Sequence, residues 1–307
     1  MKIRFSIIII HRNNRDILQK AINSICSFIK NDELIIVDNN SDDNSIEKIE
    51  TPLSFKVIKN KCNAGYGFAC NQGMKIANGD YFLLCNNDIE LKKDTLDLFE
   101  SMLIQNPKAG IIGPQMFTPN KKKLNSYSTI VPTFLNQLDL IGRPLRNKEI
   151  KKISQVSTLR GACLAVNKEM TRDVGMYDES FYFYHEETEW CLRINKTKKW
   201  EVMFAPEIEI SHIGGSSTNK VFAGSRIEFF RSRILLWKKI FSREAYLFLL
   251  CFNALKLFLD FLFYLIMFLL TLGISRVYKR KLIDRVVVIS WLAVGRPNSW
   301  GLPNKCT

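Results

Sequence analysis

The stretch DYFLLCNNDIE (80–90) ends an apolar run, Tyr81 to Cys85, in Asn86, Asn87 and Asp88. Asn and Asp tolerate turn geometry and bond their own backbone, so a plain turn is one reading. The other is that these side chains face a ligand at a strand's carboxyl end. Two more clusters follow apolar runs: His11-Arg12-Asn13-Asn14 after RFSIIII, and Asp38-Asn39-Asn40 after ELIIVD. Far downstream, Tyr182, Phe183 and Tyr184 lead into Glu186-Glu187, with Glu189 and Trp190 just beyond. Acids in a helix's first turn complement its dipole. In a partly apolar setting they also acquire raised pKa values that suit base catalysis. His212 ends IEISH before a glycine pair; a lone histidine is more often structural, yet only three occur (11, 185, 212).

The segments that must position these residues alternate in type. Residues 4–10 and 33–38 read as strands, 15–29 carries a helical apolar stripe, and 45–50 reads as a short helix. A third strand is expected at 55–60, a loop opening a helix at 63–79, and a fourth strand at 80–85. A strand AGIIGPQMF follows, then a long proline-bearing excursion with a lysine triplet at 121–123. LRGACLAVNKEM reads as a strand entering a helix, and 186–194 as a helix. Two-sided apolar strands alternating with helices predict an α/β fold with a mostly parallel sheet flanked by helices. Such sheets bind ligands outside the strands' carboxyl ends, where three of the polar clusters fall. HRNNRD stands where a dinucleotide-binding GxGxxG would be, and no GxxxxGK[ST] occurs.

The chain has 307 residues, 47% hydrophobic and 24% charged, ample for a large core. Its eight cysteines (26, 62, 70, 85, 163, 191, 251, 306) form no CxxC pair and read as reduced core residues. MKIRFSIIIIHRNN reads as a first strand and not a secretory signal, so a cytoplasmic site is expected.

From residue 220 onward stand 15 Lys/Arg against 4 Asp/Glu, +11 of the net +14. This asymmetry predicts an anionic partner surface. Residues 245–274 are overwhelmingly apolar and bracketed by RSRILLWKK and SRVYKRK. Aromatics interleaved with basic residues would suit nucleic acid; basic groups bracketing an apolar segment suit lipid headgroups. The uninterrupted part, Phe261 to Ile274, is shorter than the roughly 20 residues a span needs. Helices in the interface are the favoured placement, with a buried hairpin or a true span as alternatives.

Laid end to end, SIIIIHRNN, IIVDNNSDD, NAGYGFACNQGMKIANGDYFLLCNND, GACLAVNKEMTRDVGMYDESFYFYHEETEWCLR and SHIGGSS resemble one family. The chain is similar to the inverting GT-A glycosyltransferases of family 2, in the rhamnosyl- and galactofuranosyl-transferase-like branch. The resemblance implies a catalytic domain at 1–218, with a nucleotide half (1–110) and an acceptor half (111–218), and a membrane-associating segment at 219–307. It implies transfer from a UDP- or dTDP-sugar to a saccharide acceptor, lipid-linked, at the cytoplasmic side of the plasma membrane, with no nucleic acid partner. Asp38 would accept from the pyrimidine N3–H, His11 and Asn13 would line the base and ribose pocket, and Asn63 and Asn71 would lie near the ribose and diphosphate. Asn86, Asn87 and Asp88 occupy the place of the DxD motif. Asp88, with His212, would hold Mg²⁺ or Mn²⁺. Glu187, then Glu186, is the implied base, with Glu189 and Trp190 on the acceptor side. A sugar-nucleotide-forming nucleotidyltransferase and a non-catalytic membrane scaffold are the alternatives.

Overall fold

A computed structural model of the chain describes residues 4–26, 28–138, 147–214 and 222–306. Gly215–Ser217 of the SHIGGSS motif and the boundary expected at 218/219 lie outside the described residues. The first half runs β1 (Phe5–His11), α1 (Arg15–Cys26), β2 (Glu33–Asp38), β3 (Phe55–Lys59), α2 (Tyr66–Ile76) and β4 (Tyr81–Asn86). Then come β5 (Ile89–Glu90), α3 (Thr95–Gln105), β6 (Ala109–Phe117), β7 (Tyr127–Ser128) and α4 (Phe134–Leu138). After β8 (Ser154–Gln155), β9 (Thr158–Leu159) and β10 (Cys163–Asn167) follow α5 (Lys168–Val174), α6 (Glu186–Lys196) and β11 (Glu201–His212). The chain closes with α7 (Phe222–Ile240), α8 (Arg243–Leu270) and α9 (Arg276–Ala293). The helix expected at 45–50 is instead a turn held by side chains: Asp43 Oδ1 accepts from the Ser45 amide at 3.0 Å.

The main sheet has the order β3-β2-β1-β4-β10-β6-β11-β5. β1 is parallel to both β2 and β4, while β10 enters antiparallel between β4 and β6. The Ile7–Ile10 run is buried on both faces, as an interior parallel strand requires. Its period of two sends Ile7 and Ile9 into one core with Leu18, Ile22 and Phe99. Ile8 and Ile10 enter the opposite core with Met74, Trp190 and Ile194. Gly73 lets α2 come close to β1: a Cβ there would stand 2.3 Å from Ile8 Cγ2.

The register aligns the polar clusters. His11 sits opposite Asp38, and Ile10 opposite Asn86, so all three loops leave the sheet at one edge. Because β10 runs backwards, its entry reaches the same edge, where the Asn86 amide donates to Ala162 O at 2.9 Å. The end of β11 arrives there too, with Ile213 N donating to Asp88 O at 3.1 Å.

The apolar C-terminal segment forms one unbroken 28-residue helix, α8, long and apolar enough to cross a membrane. A Lys and an Asp do not interrupt a helix, and Asp260 pairs with Arg285 of α9 at 3.0 Å. Leu249 and Leu257 are buried, while Phe248, Leu255, Phe258, Phe263 and Ile266 are about half exposed or more. α7 ties these helices to the sheet-bearing part of the chain: Ser232 Oγ donates to Phe183 O at 2.7 Å, and Lys239 pairs with Asp178 at 2.7 Å.

The cysteine expectation needs one correction. Cys62 and Cys306 form a disulfide across 244 residues of sequence. The tail returns past α7, where Glu228 accepts from Leu302 N and from Lys305 Nζ at 2.9 Å. Asn63 N then donates to Asn304 O at 2.7 Å, which brings Cys306 beside Cys62. Cys70, Cys85, Cys163 and Cys191 are buried free thiols, as expected.

Candidate active site

A cavity of about 640 Å³ opens where these loops converge. Its sheet-edge wall carries His11, Asn39, Asn86, Asn87 and Asp88. Glu186, Glu187, Arg160, Tyr184, His212 and Leu302 line the same cavity.

His11 is fully buried and held at both ring nitrogens. Asn87 Nδ2 donates to Nδ1 at 2.8 Å, so the proton sits on Nε2 and goes to Ser45 Oγ at 2.6 Å. Burial pushes its pKa down to about 4, keeping the ring neutral. His11 therefore orients Asn87. Asn13, Asp38 and Ser41 form one unit behind the wall. Ser41 Oγ accepts from Asn13 N at 2.9 Å and donates to Asp38 Oδ1 at 2.5 Å. Neither Asn13 nor Asp38 lines the cavity; their neighbours Arg12 and Asn39 do. Asn39 Nδ2 donates to Asn63 Oδ1 at 2.9 Å, which draws the second loop and the third-strand loop together.

Asp88 and His212 meet from opposite ends of the sequence, with Oδ1 and Nε2 3.2 Å apart and both side chains largely buried. Gly214 N donates to Asp88 Oδ2 at 3.1 Å and fixes the carboxylate.

Glu186 and Glu187 start α6, and the chain reaches them through two consecutive left-handed residues, Tyr184 (φ 69°) and His185 (φ 64°). Non-glycine residues hold that conformation only where packing enforces it. Here Phe229 of α7 packs on both rings. Burial, reinforced by the neighbouring Glu187, raises the Glu186 pKa well above the ordinary carboxylate range. Burial also raises that of Glu187, with the Arg160 guanidinium working in the opposite direction.

Besides Asn13 and Asp38, three more expected site residues are absent from the cavity lining. Asn71 is buried and spent on the Tyr177 backbone: it donates to Tyr177 O at 2.9 Å and accepts from Tyr177 N at 3.1 Å. Trp190 is 0% exposed, with its indole N–H on Gly175 O, so it belongs to the core. Glu189 pairs with Arg193 one turn along α6, at 2.9 Å, and faces away from the cavity lining. In exchange the cavity gains Arg12, Asn39, Tyr66, Arg160 and Leu302. Arg12 and Asn39 sat inside noted clusters. Arg160 and Leu302 carried no local signal, since only the fold brings them there.

A family model described as "Glycosyl transferase family 2" matches residues 6–175, more than half of the chain. The chain belongs to glycosyl transferase family 2. This family-2 glycosyltransferase is 26% identical over 169 residues to the low-salt glycan biosynthesis hexosyltransferase Agl10 of Haloferax volcanii, covering 53% of each. It is 21% identical over 210 residues to the N-acetylglucosaminyl-diphospho-decaprenol L-rhamnosyltransferase of Mycobacterium tuberculosis, covering 61% of this chain and 68% of that one. The chain thus spans about half of the first relative's length. Among solved structures it resembles the mannosyltransferase PcManGT of Pyrobaculum calidifontis, in complex with GDP-Man and Mn²⁺. The TM-score is 0.56 at 14% identity, over 96% of this chain and 87% of that one. A second likeness is to GalNAc-T7 with UDP, GalNAc and Mn²⁺ (TM-score 0.54, 13% identity, 75% and 47% covered). At these identities the likeness establishes the fold, which is GT-A.

Proposed function

We propose that this glycosyltransferase moves a sugar from a UDP- or dTDP-sugar to a hydroxyl of a lipid-linked saccharide, with inversion, in surface or cell-wall polysaccharide assembly. The observation that carries this reading is the cavity itself, whose lining holds both the Asp88–His212 pair and Glu187. In a single displacement the acceptor oxygen attacks the anomeric carbon while the bond to the leaving diphosphate breaks on the opposite side. The hydroxyl proton goes to Glu187. Burial raises both carboxyls, and Glu186 well above the ordinary range, which leaves Glu187 as the member of the pair that gives up its proton first. Asn87, oriented by His11, and the Asn39–Asn63 pair would hold the nucleotide side, next to Asp38.

The donor set at Asp88 and His212, a carboxylate oxygen and an imidazole nitrogen 3.2 Å apart, fits Mn²⁺; Mg²⁺, which takes oxygen ligands, would rest on Asp88 alone. Among the described residues no group of three metal-ligating side chains occurs, so ion and diphosphate would bind together. Such an ion supplies charge neutralisation to the leaving diphosphate. The exposed apolar side of α8, with its basic flanks, supports residence on the cytoplasmic face of the plasma membrane, and the decaprenol-linked substrate of the mycobacterial relative supports a lipid-linked acceptor. The catalytic unit would be 1–218, with 219–307 as its membrane-facing segment.

The test is a panel of UDP- and dTDP-sugars titrated onto the full chain with and without Mn²⁺ or Mg²⁺. Tighter binding with the ion is expected for at least one sugar nucleotide. Absence of binding by all of them removes the proposal.

A further inference from the structure

Arg160 lines the cavity, and three lysines stand just before Leu124 and Asn125, which line it too. Arg160 lines the cavity on an exposed side chain, yet its backbone is fixed on every side. Its N–H donates to Ser126 O at 2.9 Å, and the next carbonyl, Gly161 O, accepts from Tyr66 Oη at 2.7 Å. A Cβ on Gly161 would stand 3.5 Å from Glu187 Cβ, so Arg160 is held directly beside the proposed base. Next to it the chain folds back after β6 in a hairpin whose tip is Lys121, Lys122 and Lys123, all exposed. Thr118 N donates to Lys122 O at 2.9 Å, and Leu124 N to Met116 O at 2.9 Å. Buried Gln115 fastens the hairpin's return arm, donating to Leu124 O at 2.9 Å and Ser126 Oγ at 3.1 Å. Leu124 and Asn125, the residues after the triplet, line the cavity beside Arg160. Among the described residues none of these four cations makes an ion pair with a protein carboxylate.

We infer that Arg160 and the Lys121–Lys123 hairpin form a basic lip that binds a diphosphate on the acceptor, distinct from the donor's diphosphate. This rests on the proposed transferase reading and narrows its acceptor to an anionic one. A sugar attached through a diphosphate brings negative charge close to Glu187, which by itself would repel it; the Arg160 guanidinium, carried on a backbone held beside Glu187, offsets that repulsion. The lip also leads toward apolar surface. Five residues after β7 the same excursion forms α4, whose Phe134 packs on Phe248 of α8 at 5.6 Å between ring centroids. An anionic head at the lip and an apolar tail along α8 describe a polyprenyl diphosphate.

Farnesyl diphosphate, farnesyl monophosphate and farnesol provide the probes, each titrated onto the full chain saturated with UDP and Mn²⁺. The expected order is diphosphate over monophosphate over farnesol, at least tenfold from first to last. Arg160→Gln, and separately the triple Lys121→Gln, Lys122→Gln, Lys123→Gln variant, should each weaken the diphosphate at least fivefold with UDP binding unchanged. Flotation with phosphatidylglycerol vesicles separates a general headgroup surface from this site, and both variants should float as wild type. Equal binding of farnesol and farnesyl diphosphate overturns the inference. So does displacement of farnesyl diphosphate by UDP, or variants that lose vesicles but keep farnesyl diphosphate. Failure of UDP to bind would instead strike the transferase reading.

Discussion

Glu186 and Glu187 are adjacent and chemically identical, yet their surroundings assign them different tasks. Glu187 shares the cavity with Arg160; Glu186 Oε2 is buried without a hydrogen-bond partner. Glu187→Gln should lower kcat by about 10²–10⁴-fold and leave donor affinity unchanged, measured by transfer rate and by calorimetry. Because burial raises the Glu187 pKa, transfer should fall on acidification at a pH above the ordinary carboxylate range, traced by a rate–pH profile. Glu186 makes a stability prediction with a definite sign. A carboxyl whose folded pKa is raised contributes stability below its unfolded pKa and loses it as pH rises through the folded value. Glu186→Gln should therefore raise Tm near neutrality by on the order of 2–4 °C, with no gain near pH 4. The acid pair was visible in sequence as a cluster. Which member keeps its proton was not, because burial is a tertiary property.

The elements that hold the site were legible wherever the pattern was long and periodic. The alternation of Ile7–Ile10 between two cores, and the strand ends at His11, Asp38 and Asn86, follow from period-two burial of parallel strands. Short or side-chain-dictated pieces were not legible. Residues 45–50 look helical in sequence, but Asp43 captures the backbone into a turn. Asn71 lies in the glycine-loop motif, and only the packing of α2 against the Met176–Phe181 segment shows that its amide secures Tyr177. Asn71→Ala should cost about 1–3 kcal/mol of unfolding free energy, since Tyr177 N–H and C=O lose their partner in a buried place. Urea denaturation measures it. Transfer should drop as well, because Tyr177 packs on Trp190 of α6.

At the scale of the whole chain, the tail links the helical segment to the loop after β3. Leaving α9, it is held by Arg231 on Pro297 O and Trp300 O, by Glu228, and by the Cys62–Cys306 bond; Leu302 lies at the cavity and Asn304 bonds Asn63. A disulfide belongs to oxidising surroundings, whereas the placement proposed above for this chain is cytoplasmic. Glu228 and the Asn63–Asn304 bond hold the tail independently of the disulfide. Cys306→Ser should lower stability under oxidising conditions by about 2–4 kcal/mol. It should also raise the donor KM with kcat little changed, both effects vanishing when wild type and variant are compared in dithiothreitol.

What the amino-acid order determined by itself was local: strand and helix periods, polar clusters at strand ends, an apolar segment between basic flanks, and a family pattern carried in order by short motifs. Each depends on residues within a few positions of one another, or on their sequence in line. What the tertiary structure decided was every meeting across distance. It placed Asp88 against His212, Arg160 beside Glu187, Leu302 in the cavity, and Asp260 against Arg285. It also left Asn13, Asp38, Asn71, Glu189 and Trp190 outside the cavity lining. The reason is physical: the direction in which a polar side chain is spent depends on the neighbours that packing supplies, and those neighbours stand tens to hundreds of residues away.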